Sequence, residues 1–254
     1  MISLAGKAAL ITGGSRGIGA AAVRLFARAG ADIVFTYHRD AEAAERVAQE
    51  SRRHGTRVDF FKADLAKMSP AEKLVKFAHE RLGRLDILVA NAGIWNVEDA
   101  PIEKMTERQW DEMMAVNLKS VYSVIHFSVP HMIQQRGGRI IAVSSTAGQR
   151  GEALHSHYGA TKGGIISLVK GLSSELAPHN ILVNSVAPGW VDTDMSRPVF
   201  QDKKVFKQIK EKQPLGRVAT AEECAGPILF LASDLASFIT GEILNVNGGS
   251  VLCG

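Results

Sequence analysis

The chain has 254 residues, 46% hydrophobic and 22% charged, with a formal net charge of +4, a balance that suits a folded globular protein and not a disordered one. No apolar run approaches the roughly 18 residues of a bilayer span, and residues 1–7 lack the basic-then-apolar pattern of a secretory signal. Basic and acidic residues are interleaved, without zinc-finger spacing or a basic helix, which argues against a nucleic-acid partner, and no membrane partner is expected.

Short, continuously apolar runs at 8–11, 31–37, 57–62, 86–90, 139–144, 181–187 and 242–246 read as strands. Such runs suit parallel strands covered on both faces. Between them, amphipathic stretches at 17–29, 41–54, 70–82, 107–136, 156–176 and 221–231 predict helices. Gly30 closes the first, Asp40 sits where it would cap the second, and Pro178 stops the fifth. The alternation predicts an α/β fold, a doubly wound sheet of seven parallel strands with helices on both faces. No linker, low-complexity tract or internal repeat interrupts it, so residues 1–254 read as one domain. The segment 189–216 departs from the pattern, with Pro198, Pro214, many charges and no strand. It follows the sixth strand, at the edge where ligands bind such sheets, and is expected to be a substrate lid. Its excess of base, Arg197, Lys203, Lys204, Lys207, Lys210, Lys212 and Arg217 against Asp202 and Glu211, reads as a solvated helix face. The other reading is a landing site for an anionic substrate or carrier.

Residues 8–19, Ala-Ala-Leu-Ile-Thr-Gly-Gly-Ser-Arg-Gly-Ile-Gly, lead from the first strand into the first helix. Gly13, Gly17 and Gly19 permit a tight turn, close backbone approach to a pyrophosphate, and tight helix–strand packing. Exposed N–H groups and the helix dipole then favour the anion. At the start of a βαβ pattern this loop, with Ser15, Arg16 and Ile18, predicts dinucleotide binding. Its Gly-x-x-x-Gly-x-Gly spacing resembles the nucleotide loop of the short-chain dehydrogenase/reductase family, and the resemblance extends over nearly the whole chain. Asn91-Ala92-Gly93 is similar to the family's Asn-Asn-Ala-Gly, with Ala90 in place of its first Asn. Asp64-Leu65 matches the adenine-contacting pair, and Pro188-Gly189 with Val191 and Thr193 matches the nicotinamide-side Pro-Gly-x-x-x-Thr. Residues 241–249 are similar to the Gly-x-x-x-x-Val-Asp-Gly-Gly ending, with Asn247 where Asp is usual. The resemblance implies a Rossmann-type domain holding a nicotinamide cofactor through these residues.

An NAD-specific relative carries a carboxylate at the end of the second strand, accepting from both ribose hydroxyls. Tyr37 holds that place here, followed by His38 and Arg39, which with Arg16 supply positive donors for a 2′-phosphate. Asp40 is the competing ribose acid, but at the start of a helical run it reads as an N-cap. NADP(H) is therefore expected, with NAD(H) as the alternative.

Tyr158 and Lys162 are four residues apart at the start of the fifth helical pattern and share one helix face. The fifth strand ends in Val143-Ser144-Ser145, and the spacing from Ser145 to the pair matches the family's Ser-x12-Tyr-x-x-x-Lys. Asn117, in Met114-Ala-Val-Asn-Leu118, matches the fourth member of the family's catalytic group. Reducing a ketone needs a proton on the developing alkoxide, and a phenol of pKa about 10 is a poor partner near neutrality. Lowering that pKa by about 3 takes ~4 kcal/mol, which an ammonium ~4 Å away supplies at an effective dielectric of 20. Tyr158 is thus the expected acid/base and Lys162 the group that lowers its pKa. By resemblance, Lys162 also holds the nicotinamide ribose, and Asn117 holds a water linking Lys162 to solvent. Ser145 is expected to hydrogen-bond the substrate oxygen, and Ser144 reads as structural. Trp95 reads as substrate-pocket wall. His155 and His157, flanking the tyrosine, read as a solvent-facing loop, with the substrate pocket as the other reading for His155. No metal-ligand spacing is present. Cys224 and Cys253 make no disulfide framework, so a reducing cytoplasm is expected.

These readings converge on an oxidoreductase that transfers a hydride between NADPH and a ketone or secondary alcohol. The other readings are an NADP-binding sensor without turnover and an NAD-dependent dehydrogenase of polyols or small alcohols. Within the family the chain is most similar to members that reduce 3-oxoacyl groups on an acyl carrier protein. Arg136 sits where these have a basic contact, and His179 where their second arginine would be. The resemblance implies a 3-oxoacyl thioester and an acyl carrier protein as candidate substrate and partner. It also implies a homotetramer, for which Gly159, Ala160, Gly163, Gly164 and Gly171 suit close helix packing within or between subunits.

Overall fold

All four residues of β1 (Ala8–Ile11) are buried, because the strand is hydrogen-bonded on both sides and covered on both faces. Its neighbours are β2 (Asp32–Tyr37) and, across a long crossover, β4 (Ile87–Ala90). The other strands are β3 (Val58–Lys62), β5 (Gly138–Val143), β6 (Ile181–Pro188) and β7 (Ile243–Val246). The structure is a computed structural model that describes residues 2–252, so Cys253 lies outside the described residues. It joins the seven strands in one parallel sheet of order β3-β2-β1-β4-β5-β6-β7.

The helices are α1 (Gly17–Arg28), α2 (Ala41–Arg52), α3 (Met68–Leu82), α4 (Glu107–Met113), α5 (Ser120–Gln134), α6 (Thr146–Arg150), α7 (Ser156–Leu176), α8 (Arg197–Phe200), α9 (Lys203–Glu211) and α10 (Ala221–Ala232). Alternate strand residues feed two cores. Ala9, Ile11, Ile33 and Phe35 pack with Phe26 of α1 and Ile228 of α10. Ala8, Leu10, Val34 and Leu88 pack with Leu74 of α3, Ile125 of α5 and Ile165 of α7. Strand order reverses between β1 and β4, and the connections leave this pair on opposite faces, which opens a crevice at their carboxyl ends.

Three local results differ from the sequence reading. The helix expected over 107–136 is α4 and α5 joined by a π-helical turn, Met114–Lys119, in which Ser120 N donates to Ala115 O. A π turn inserts one residue into a helix, and this one carries Asn117 into the interior. The short α6 has no counterpart among the expected helices. The segment 189–216, for which no helix bounds were expected although its basic residues read as a helix face, contains α8 and α9. Asp40 does cap α2, its Oδ1 accepting from Ala43 N at 2.8 Å. Among the described residues, no helix is long and apolar enough to cross a membrane.

Asp86 fixes the amino end of the central pair. Its side chain is 11% exposed. One oxygen accepts from Ala8 N at 2.8 Å, and Arg84 grips both oxygens at 2.7 and 2.6 Å. Asp86→Ala strands the buried Ala8 N–H and is expected to cost about 1–3 kcal/mol, read as a lower urea midpoint at unchanged slope. An unchanged midpoint would show that this clamp does not hold β1 to β4.

Candidate active site

A cavity of about 780 Å³ lies at the carboxyl edge of the sheet, lined by residues that follow β1 to β6. The glycine loop forms one wall. Thr12 Oγ1 accepts from the N–H groups of Asn91 and Ala92, both at 2.9 Å, while Asn91 Nδ2 donates to Thr12 O at 2.9 Å. Gly13 N donates to Thr36 Oγ1 at 2.9 Å. The loop is thereby tied to β4 and β2 at once. A Cβ on Gly19 would overlap the Gly13 carbonyl oxygen, so only glycine lets α1 begin this close to the loop.

Arg16 makes no side-chain cap at the start of α1, as is also the case at the starts of α3, α7 and α8, whereas Asp40, Thr106, Asp202 and Thr220 cap α2, α4, α9 and α10. First-turn N–H groups without side-chain caps attract anions, so a tight loop ending in this helix fits a pyrophosphate. Gly13, Ser15, Arg16, Gly17, Ile18, His38, Arg39, Asp64, Leu65, Asn91, Ala92, Gly93, Pro188, Gly189, Val191 and Thr193 all line the cavity. Gly19 does not; it is buried within α1 behind the loop. Tyr37 and Asp40 also line it, with the Asp40 carboxylate engaged as a helix cap.

Ser145, Tyr158 and Lys162 line the same cavity. Ser145, two residues beyond β5, caps α6, its Oγ accepting from Ala147 N at 3.1 Å. Ser144 instead donates to Val186 O at 3.0 Å, as a structural residue should. Lys162 is 5% exposed, and its Nζ donates to Val143 O at 2.9 Å and lies 5.7 Å from the centre of the Tyr158 ring. Burial pulls the Lys162 ammonium down to about 8. Burial also pushes the Tyr158 phenol up to about 12, opposed by its hydrogen bond with Ser145 and reinforced by the negative charge of Glu152. The depressed phenol expected beside Lys162 is therefore not what the chain's own groups produce: desolvation of the phenolate is the largest effect and outweighs the hydrogen bond with Ser145.

Asn117 is fully buried and does not line the cavity. Its Oδ1 accepts from Ile94 N at 2.7 Å, and its Nδ2 donates to Ile94 O at 2.9 Å and Met113 Sδ at 3.0 Å. It clamps the loop after β4, which carries Trp95 to the cavity wall. His155 and His157 are 5% and 1% exposed, not solvent-facing. His155 stacks behind Trp95 at 4.9 Å and is not itself part of the cavity lining. Arg136 and His179 directly precede β5 and β6, whereas Ser145 and Gly189 follow them. The six residues of β5 put about 20 Å between those two ends, so the structure does not bring these basic positions to the cavity of the same chain.

Sequence reasoning missed α6 and the ion pair at its end. A Cβ on Gly148 would overlap the carbonyl carbon of Lys162, so α6 presses directly on the backbone that carries the lysine. Arg150 and Glu152, 2.7 Å apart, also line the cavity. The one available signal was the glycine itself, three residues after Ser145. Among the described residues, no group of three or more His, Cys, Asp or Glu is placed to hold a metal ion.

The family model described as enoyl-(acyl carrier protein) reductase matches residues 13–250. The chain is 40% identical over 249 residues to the 3-oxoacyl-[acyl-carrier-protein] reductase of Aquifex aeolicus, covering 98% of each protein. It is 38% identical over 249 residues to the enzyme of the same name from Thermotoga maritima, covering 98% of this chain and 99% of that one. Among solved structures, a dehydrogenase/reductase from Sinorhizobium meliloti superposes with a TM-score of 0.91 at 38% identity, over 98% of this chain and 97% of the other. A short-chain type dehydrogenase/reductase from Mycobacterium marinum gives 0.91 at 32% identity, over 99% and 98%. The chain belongs to the short-chain dehydrogenase/reductase family and is one of its oxidoreductases.

Proposed function

We propose that the chain is an NADPH-dependent reductase of ketones, able to run in reverse on secondary alcohols, and that its substrate class is the 3-oxoacyl thioester. The observation that carries the reaction is the meeting of Ser145, Tyr158 and Lys162 with the glycine loop in one cavity. The substrate class rests on the names of the Aquifex and Thermotoga relatives. The family model's description names an enoyl reductase, but two hydroxyl donors lining one cavity suit an oxygen that gains charge, which favours the carbonyl.

Bound in the cavity, NADPH supplies the hydride. Arg16, His38 and Arg39 would be the donors for its 2′-phosphate, and Asp64, Leu65, Asn91, Ala92, Gly93, Pro188, Gly189, Val191 and Thr193 would be the remaining contacts. The Ser145 oxygen accepts from Ala147 N, and its hydrogen bond with Tyr158 pairs the two hydroxyls, so that one substrate oxygen can meet both. Tyr158, kept neutral by burial, is the acid that protonates that oxygen. Lys162 spends one of its three donors on Val143 O and keeps two for the nicotinamide ribose, while its charge favours the phenolate left after proton transfer. Asn117 is a positioning residue for the Ile94–Trp95 loop; with its amide engaged on both sides, a water relay through it is not part of this proposal.

Residues 189–216 act as a substrate lid within a single domain. Support comes from the pinned ends of this segment, where Val191 and Ala219 form a parallel bridge and Ala219 N donates to Trp190 O at 2.9 Å. A cytoplasmic homotetramer is the proposed assembly. Tyr122, His126, Val129 and Ile133 form a stripe along α5, and both Tyr122 and Ile133 are exposed; light scattering at micromolar concentration distinguishes four copies from one.

With acetoacetyl thioester as substrate, kcat/KM is expected to be at least about tenfold higher with NADPH than with NADH. Equal values or an NADH preference would overturn the cofactor assignment, and no oxidation of either cofactor would overturn the reaction. A second expectation concerns pH. Reduction should be flat below about pH 8, because a phenol at about 12 stays protonated there, and should fall above it as Lys162, at about 8, loses its charge. Glu152→Gln removes a negative neighbour and frees Arg150, both of which lower the Tyr158 pKa, so alcohol oxidation at pH 8 should rise about threefold. Unchanged or slower oxidation would show that Glu152 does not act on the tyrosine.

A further inference from the structure

Two of the chain's three tryptophans line the active-site cavity. Trp95 comes from the loop after β4 and Trp190 from the segment after β6, and their rings meet edge to face with centroids 5.7 Å apart. Each is braced from behind. Trp95 stacks on buried His155 at 4.9 Å with 28° between the planes. Trp190 leans on Phe200 at 5.8 Å, and Phe200 on Phe206 at 4.7 Å. Two large rings from separate loops, each held by another ring, make an apolar corner whose shape is set before a ligand arrives. Such a corner favours a flat group, because little side-chain freedom remains to be lost on binding.

The acidic side chains on this side of the cavity are already paired. Glu152 meets Arg150 at 2.7 Å, Asp194 meets Arg197 at 2.7 Å, and Glu112 meets Arg108 at 3.9 Å. Ile94, Val116 and Met195 add apolar lining. Trp95 also borders a second cavity of about 400 Å³, lined further by Asn96, Val97, Glu98, Ala100, Gln109 and His157. Trp95 and Asn96 border both spaces, and the indole is the bulkier of the two side chains between them.

We infer that the preferred substrate carries an aromatic group beside the reacting carbonyl, packed in the corner of Trp95 and Trp190, and that Trp95 bars long linear chains. The inference rests on the carbonyl-reductase reading above and narrows its substrate. The test uses N-acetylcysteamine thioesters of acetoacetate, 3-oxo-4-phenylbutanoate and 3-oxodecanoate. The last two acyl groups have the same number of carbons, and the methylene keeps the phenyl ring out of conjugation with the ketone, so their difference reports binding. Wild-type kcat/KM should be at least about tenfold higher for the phenyl compound than for the linear one. Trp95→Ala joins the cavities and should invert that preference. Trp190→Leu keeps apolar bulk and should shrink the preference without inverting it.

A linear preference in the wild type, or a ratio unchanged in both variants, would overturn the inference. If none of the three thioesters is reduced, the carbonyl-reductase reading fails instead. The corner is then still tested by tryptophan fluorescence, which 4-phenylbutan-2-one should quench in the wild type and much less in Trp95→Ala. Equal quenching in the two proteins would count against the corner.

Discussion

A lysine ammonium buried beneath the cavity, held by one backbone carbonyl, is the constraint around which the site is arranged. The Nζ of Lys162 donates to Val143 O at 2.9 Å, the last residue of β5. Burying an ammonium costs several kcal/mol even after relaxation, and one neutral carbonyl returns only part of that, which is why the group is pulled down to about 8. The bond nevertheless ties α7 to the end of β5. It sets Tyr158, one turn earlier on α7, in the same cavity as Ser145, two residues after Val143.

The rest of the fold serves that placement. The crevice between β1 and β4 is closed by Thr12 and Asn91, whose mutual hydrogen bonds hold the glycine loop against the end of β4. From the other side α6 presses on the backbone of Lys162 through Gly148. Asn117, brought inside by the π turn, grips the backbone of Ile94 with both ends of its amide. Three contacts distant in sequence therefore converge on one cavity, and each depends on a close approach that a larger or differently shaped residue would block.

The layout of the sheet could be read from the sequence because its strands are buried on both faces, so their apolar runs are continuous and unambiguous. The glycine loop and the Ser145, Tyr158 and Lys162 spacing were equally legible, since each is a local pattern at a strand end or on one helix face. The burial of His155 was not. It follows from stacking on Trp95, 60 residues earlier in the chain, and no local property of a histidine beside a serine reports that contact. The short α6 was missed because five residues carry too little periodicity to register. The upward push on Tyr158 was not legible either, because residue types report a neighbouring charge, whereas desolvation of the phenol depends on packing.

The central claim is that the Tyr158 hydroxyl delivers the proton in ketone reduction. The direct measurement is single-turnover NADPH oxidation with acetoacetyl thioester by wild type and Tyr158→Phe, with NADPH binding followed in parallel. The account predicts a rate at least about a hundredfold lower in the variant, with NADPH affinity within about threefold of wild type. A variant rate within about twofold of wild type, at equal cofactor affinity, would contradict it.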